Sequence, residues 1–325
     1  MISRTKYPID AAGVQNLFNA AGFPGAQEVA PLGAGEYNAV FAARAQDRPY
    51  VIKIAPPPEI PVLTYEKELM RAEVYWYDQM RTHTEIRVPA IYAQDFEHRE
   101  IPADWFIMEK LEGKQLDQMD FTPAEKADAA VQTARMAAQI HRIKNDRFGY
   151  IQNGLYDSWY LAIRAMVTNL IEDAARVGKR SPRGEKLLWY IDRYQSVLEQ
   201  ADCRMVNFDI WAPNILCTRK DGGIEYAWID PERSFWGDRI ADFICLETFK
   251  PLREKKASLA AYNNVAEEPV TVTRDTEIRY AVALGYVALI QEVEKYYRYT
   301  PRHFGWWRNV LCCKFFYTRA FGVLK

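Results

Sequence analysis

The segment that most restricts the fold is Val206-Asn207-Phe208-Asp209-Ile210-Trp211-Ala212-Pro213-Asn214-Ile215-Leu216-Cys217, continued by Tyr226-Ala227-Trp228-Ile229-Asp230-Pro231-Glu232. Apolar runs at 215–217 and 226–229 flank Lys220-Asp221-Gly222-Gly223, whose glycines supply the positive φ of a tight hairpin. Residue 222 is midway between 214 and 230, so antiparallel pairing predicts Asn214 roughly opposite Asp230, with Asp209 on the loop just before. Three oxygen-bearing side chains at one edge of an apolar hairpin are costly to desolvate unless a cation or a substrate meets them. Hard oxygen donors of this kind suit magnesium that keeps some waters and is shared with a polyphosphate.

A second constellation lies upstream. Leu32-Gly33-Ala34-Gly35-Glu36-Tyr37-Asn38-Ala39-Val40-Phe41 is a glycine-containing turn running into an apolar strand, and Tyr50-Val51-Ile52-Lys53-Ile54-Ala55 reads as the next strand. Gly33 and Gly35 let backbone amides approach phosphates. Strand alternation puts Lys53 on the face of Val51 and Ala55, where an ammonium among apolar neighbours requires an anionic partner. On the helix predicted over Tyr65 to Arg81, Leu69, Trp76 and Met80 recur at helical spacing, and Glu73 falls inside that stripe. Glu73 is therefore the expected partner of Lys53, with Glu66, two turns earlier, as the alternative. Trp105-Phe106-Ile107-Met108-Glu109-Lys110-Leu111-Glu112-Gly113 reads as a strand running into a connector.

The pattern D-x-x-x-x-N, followed by an apolar strand ending in Asp, resembles the protein-kinase-like phosphotransferases. It is most similar to the aminoglycoside phosphotransferase and choline kinase group of small-molecule kinases, whose loop commonly reads H-G-D-x-x-x-x-N. The resemblance spans roughly residues 28–250 and implies an α+β, bilobal protein-kinase-like fold, with a small β-rich N-terminal lobe and a larger, mostly helical C-terminal lobe. It implies ATP (or GTP) and Mg2+, with Asp209 as the catalytic residue engaging a substrate hydroxyl and Asn214 and Asp230 as metal ligands. Lys53, fixed by Glu73, would neutralise phosphate charge beside Gly33 and Gly35. Adenine would sit on the backbone of Glu109 to Leu111, beside Met108. The chain departs from the family loop at Asn207 and Phe208, which stand in the His and Gly positions and bear on loop positioning and substrate subclass. His141 with Phe148-Gly149 resembles the family's L-x-x-[IL]-H…F-G segment and is read as structural. Gly237-Asp238-Arg239-Ile240-Ala241-Asp242 matches G-D-x-x-x-D, whose second Asp either hydrogen-bonds the catalytic loop or caps a helix start.

At 325 residues the chain exceeds what one core usually organises, so two lobes are expected. The first, 1–112, would bind nucleotide and end in the hinge; the second, 113–325, would carry the catalytic loop, metal site and acceptor site. Periodicity predicts a helix over 9–21, strands over 28–55, a helix over 65–81 and strands over 88–111. From Thr122, with Pro123 and Glu125 as a helix entry, the chain reads as helical apart from the 206–230 hairpin. A net charge of −1 gives no long-range attraction for nucleic acid or an anionic membrane. Five cysteines without a C-x-x-C pair, and four histidines, speak against a structural zinc site. The N-terminus lacks an apolar signal core and no run of about 18 apolar residues exists, so a reducing cytoplasm is the expected compartment.

The resemblance places the acceptor against residues 151–200 and 275–325. Arg298 to Lys325 contains no Asp or Glu but carries Arg298, Arg302, Arg308, Lys314 and Arg319, which disfavours a polycationic antibiotic. Glu247, Glu292, Glu294 and Asp173 remain as pocket carboxylates, and Tyr297, Trp306, Trp307 and Tyr317 as rings for a sugar or a quaternary ammonium. The expectation is ATP-dependent phosphoryl transfer to a small-molecule hydroxyl, with sugars, choline-like compounds and amino alcohols favoured. An aminoglycoside phosphotransferase and a pseudokinase without turnover are the alternatives.

Overall fold

A computed structural model describes residues 5–33 and 37–325. Helix α1 (Ala11–Ala20) starts behind Asp10, whose carboxylate accepts from Gly13 N at 2.8 Å, and buries Val14, Leu17 and Phe18. Strands β1 (Gln27–Pro31), β2 (Ala39–Ala45) and β3 (Arg48–Ile54) precede α2 (Leu69–His83), and β4 (Ile91–Asp95) and β5 (Trp105–Glu109) follow it. They form one antiparallel sheet in the order β1-β2-β3-β5-β4. Alternation divides its two faces. Ile52, Ile54, Trp105 and Ile107 pack with α1, whereas Val51, Phe106 and Met108 join the core that contains α2. Lys53 pairs with Phe106 across the ladder and shares this second face.

The helix expected from Tyr65 begins at Leu69. Thr64–Glu66 form a separate 3-10 turn, the Glu66 carboxylate closes back on Leu63 N at 2.9 Å, and Glu68 at φ 54° interrupts the helical run. Trp76 of α2 is fully buried and meets Trp236 edge-on, ring centroids 5.0 Å apart. The apolar core thus continues from one lobe into the other through α2, and the helix carrying Glu73 is braced from both sides.

After β5, Gly113 at φ 126° brings the chain against Cys217, whose carbonyl oxygen lies 2.8 Å from where a Cβ would stand. The larger lobe comprises β6 (Lys114–Gln115), α3 (Pro123–Ile140), α4 (Trp159–Arg176), α5 (Pro182–Arg193), α6 (Gln195–Leu198), β7 (Cys203–Val206), β8 (Ile215–Lys220), β9 (Gly223–Trp228) and β10 (Phe235–Asp238), then α7 (Lys256–Asn263), α8 (Arg274–Arg298) and α9 (Phe304–Leu324). Thr122 and Glu125 cap α3 reciprocally, as their spacing predicts. The β7–β10 ladder adds strand where only helix was expected, and β6 pairs with β8 from the connector before Thr122. The β8–β9 hairpin turns through Asp221-Gly222, with Lys220 opposite Gly223 and Ile215 opposite Trp228. Because Gly223 enters the strand instead of the turn, Asn214 faces Ile229, one residue short of Asp230, and its carbonyl accepts from Ile229 N at 2.9 Å. Among the described residues, no helix is long and apolar enough to cross a membrane.

Candidate active site

Strand β3 delivers Lys53 into a carboxylate cluster. Its ammonium lies 2.8 and 2.7 Å from the two Glu73 oxygens, 2.7 Å from Asp230 and 3.9 Å from Glu232. Glu66 is not the partner: it holds Leu63 N and Arg298 instead. Burial alone would lower the Lys53 pKa, but Asp230 and Glu73 outweigh it and raise it well above the ordinary value. Fully ionised, three carboxylates against one ammonium would leave two negative charges uncompensated. Burial, reinforced by Asp230 and opposed by Lys53, accordingly pushes Glu232 up to about 8. Burial also pushes Glu73 up to about 7, against the pull of Lys53.

One oxygen each from Glu73, Asp230 and Glu232 lies within 4.8 Å of the others. Both Glu73 oxygens are spent on Lys53, so the pair suited to a hard divalent cation is Asp230 with Glu232. Local geometry explains how they meet. Asp230 sits in the left-handed region at φ 64°, its N–H donates to Tyr77 Oη at 2.8 Å, and Pro231 starts a 3-10 turn that returns Glu232 to the cluster. Asn38, immediately before β2, donates to Glu232 at 3.2 Å. Glu232 and Asn38 were not foreseen as site residues. The signal was present in Asp230-Pro231-Glu232, where proline sets a turn between two carboxylates.

The 207–214 loop is held by side chains that bond its backbone N–H groups and one another. Asp242 accepts from Asn207 N at 3.0 Å and Phe208 N at 2.6 Å, and contacts His141 Nε2 at 2.9 Å. His141 Nδ1 meets Tyr262 Oη at 2.8 Å, a buried bracing role. Asn207 accepts from Asp209 N at 3.1 Å, and Asn214 Nδ2 donates to Asp209 O at 3.2 Å and Oδ2 at 3.1 Å. Asp209 and Asn214 therefore form one unit. Burial, opposed by Arg233 and reinforced by Asp230, pushes Asp209 up to about 6. Phe208, where the family loop has glycine, sits at φ 62°. Such strain costs about 1–3 kcal/mol. Its ring is buried 5.1 Å from Phe235 and 5.6 Å from Tyr286, and burial of a Phe side chain contributes about 1.5–3 kcal/mol in return.

A second charge network lies beside this loop. Glu294 accepts from Arg233 at 3.0 Å and pairs with Arg298 at 2.8 Å, while Arg298 also pairs with Glu66 and covers the Tyr37 ring at 5.2 Å. At the end of β5, Glu109 donates its N–H to Ala90 O at 2.8 Å and its carboxylate pairs with Arg87. Met108 is buried, Leu111 half-buried, and Gly33 exposed at φ 75°. Gly35 lies outside the described residues.

The tail aromatics do not share one face. Tyr317 is buried, Tyr297 donates to Asp173 O at 2.7 Å, Trp306 meets Tyr296 edge-on, and Trp307 is 56% exposed. The single aromatic wall expected for the acceptor is thus dispersed, because adjacent helical residues diverge by about 100°. Asp173 is spent on Thr64 and Arg176, and Glu247 on Lys250 and Ser258 N.

Solved structures with this fold include a Ralstonia eutropha JMP134 protein provisionally assigned as an aminoglycoside phosphotransferase, at TM-score 0.65 and 16% identity over 97% of this chain and 99% of that one. A Haemophilus somnus 129PT protein provisionally assigned as a fructosamine-3-kinase gives TM-score 0.66 and 16% identity over 94% and 96%. Aminoglycoside phosphotransferase APH(4)-Ia, in a ternary complex with AMP-PNP and hygromycin B, gives 0.61 and 15% over 96% and 98%. At these identities the likeness shows the fold, which is bilobal and protein-kinase-like. Among curated sequences, a subtelomeric hrmA-associated cluster protein of Aspergillus fumigatus is 24% identical over 181 residues, 55% of this chain, and the match spans only 33% of that relative's length. The model of the phosphotransferase enzyme family matches residues 28–270, and the chain belongs to that family.

Proposed function

We propose that this protein transfers the γ-phosphate of ATP, or of GTP, to a hydroxyl of a small molecule. The observation that carries this reading is the unbalanced cluster of Lys53, Glu73, Asp230 and Glu232 beside the Asp209–Asn214 unit. A partly buried site with three carboxylates about one ammonium, two of them raised toward neutral pH, suits a divalent cation bearing a polyphosphate that would draw their protons off. Asp230, Glu232 and the Asn214 side-chain oxygen would hold Mg2+, which supplies charge neutralisation between the phosphate oxygens. Lys53, oriented by Glu73, binds the phosphates as a point charge. The Glu109 amide is already committed to Ala90, so the base would be read by the Glu109 carbonyl and the Leu111 backbone. Asp209 accepts the acceptor hydroxyl's hydrogen bond and aligns its oxygen. Its raised pKa suits a group that takes a proton late in the transfer. Positioning and electrostatics carry most of the acceleration in such chemistry.

The favoured acceptor is a neutral or singly charged alcohol: a sugar, a choline-like compound or an amino alcohol. Asp173, Glu247 and Glu294 are already engaged by cations or backbone N–H groups, so a polycation would find few open counter-charges. A panel of sugars, choline, ethanolamine, homoserine and kanamycin-type compounds, read by acceptor-dependent ADP release, tests this. An aminoglycoside with the highest kcat/KM would overturn the acceptor class. Magnesium-dependent nucleotide binding without release for any alcohol would favour the pseudokinase.

A further inference from the structure

We propose that the outer face of α9 is a docking surface for an anionic lipid bilayer. Phe304, Trp307 and Leu311 follow one another at helical spacing and are 79, 56 and 68% exposed. Phe249, 58% exposed, stands beside the same helix, its ring 5.5 Å from Phe315. Scattered apolar exposure is ordinary, but these four are among only ten large hydrophobics exposed in the described residues and they gather along one helix. The opposite side of α9 is fixed: Cys313, Phe316, Tyr317 and Ala320 are buried in the core shared with α8. The exposed stripe is therefore not a helix awaiting its place in the fold.

Charge identifies the partner. Residues 299–325 contain five Lys or Arg and no Asp or Glu, and Arg302, Arg308 and Lys314 are exposed with the apolar stripe. Of the carboxylates in the flanking segment, Glu247 pairs with Lys250 at 2.6 Å and Glu277 with Arg253 at 2.7 Å, while Glu254 is exposed near Phe249 and is outnumbered by the five cations of the tail. The net charge of −1 conceals this local positive surface. Aromatic and aliphatic side chains projecting from a basic helix face match the headgroup boundary of an anionic bilayer, where rings enter and cations meet phosphate. A second copy is the poorer fit, since two-fold pairing of this face would set Arg308 and Lys314 against their own like charges.

The test is co-sedimentation of the full chain with phosphatidylcholine vesicles, with and without 30% phosphatidylserine, at low and high salt. Binding should require phosphatidylserine, weaken with salt, and fall at least tenfold in Phe304→Ser/Trp307→Ser/Leu311→Ser. Arg308→Glu/Lys314→Glu should abolish it while circular dichroism stays unchanged. Absence of binding to the anionic vesicles, or equal binding to both compositions, would overturn the proposal. So would light scattering that shows a wild-type dimer split by the triple variant, because the face would then belong to a second copy.

Discussion

Two buried charge networks connect the lobes, and they differ in balance. Around Lys53, three carboxylates share one ammonium. Around Glu294, Arg233 and Arg298 face Glu294 and Glu66, two cations against two anions. The balanced network is complete as it stands and acts as a strut, tying α8 to the 3-10 turn before α2. The unbalanced one gathers three carboxylates about one ammonium, and burial together with Asp230 raises the Glu232 pKa. A protein tolerates such a deficit where a ligand cation supplies the remainder.

Asp209 sits between the two, sensing Arg233 from one and Asp230 from the other. Asp209→Ala should therefore show the largest effect, a fall in kcat of about 10³-fold with nucleotide affinity held within a few-fold. Near-normal turnover of the purified variant would remove Asp209 from the mechanism. The next effect separates the networks directly. Arg298→Met, which leaves Glu66 without a cation and Glu294 with Arg233 alone, should cost about 3 kcal/mol of stability in denaturant titration. Glu232→Gln should cost none, yet weaken magnesium-dependent nucleotide binding by about tenfold or more. If instead the Glu232 variant unfolds early and binds Mg-ATP normally, the two networks have the same role and the contrast fails.

A smaller effect is read in pH. With Asp209 near 6, the active carboxylate form is lost as pH falls, so kcat/KM should drop about tenfold per unit below that value and level off above it. Arg233→Met removes a cation that stabilises the carboxylate and should move the break upward. A downward shift would mean that Arg233 does not act on Asp209 electrostatically.

How much of this was legible in the sequence depends on whether a residue's role is local or relational. Lys53 and Glu73 were readable because each violates the apolar pattern of its own strand or helix, and two misfits imply a pair. The Thr122 helix entry was readable from its cap. The hairpin register was missed by one residue because Gly222 and Gly223 permit either turn placement, and only pairing decides. The β7–β10 ladder joins residues 203–206 to 235–238, short runs with no period of their own. Phe208 at positive φ was invisible, since its strain is carried by Phe235 and Tyr286, far along the chain. Glu232 and Arg233 carry no pattern of their own in the sequence; their weight comes from neighbours contributed by the other lobe and by α8.

The smallest predicted effect concerns Asn38 and its bond to the unbalanced network. Asn38 is 7% exposed and its amide donates to Glu232 at 3.2 Å, linking the turn that precedes β2 to the carboxylate pair suited to the cation. The bond spans the two lobes but bears on no reacting atom. Asn38→Ala should therefore loosen the phosphate end of the nucleotide without touching Asp209. One hydrogen bond of this kind is worth about 1 kcal/mol, roughly fivefold in affinity. The expected outcome is a rise of about fivefold in KM for ATP, with kcat within twofold of the parent and an unchanged denaturant midpoint. A fall in kcat at constant KM would place Asn38 against the transferring phosphate. A loss of stability would place it in the strut.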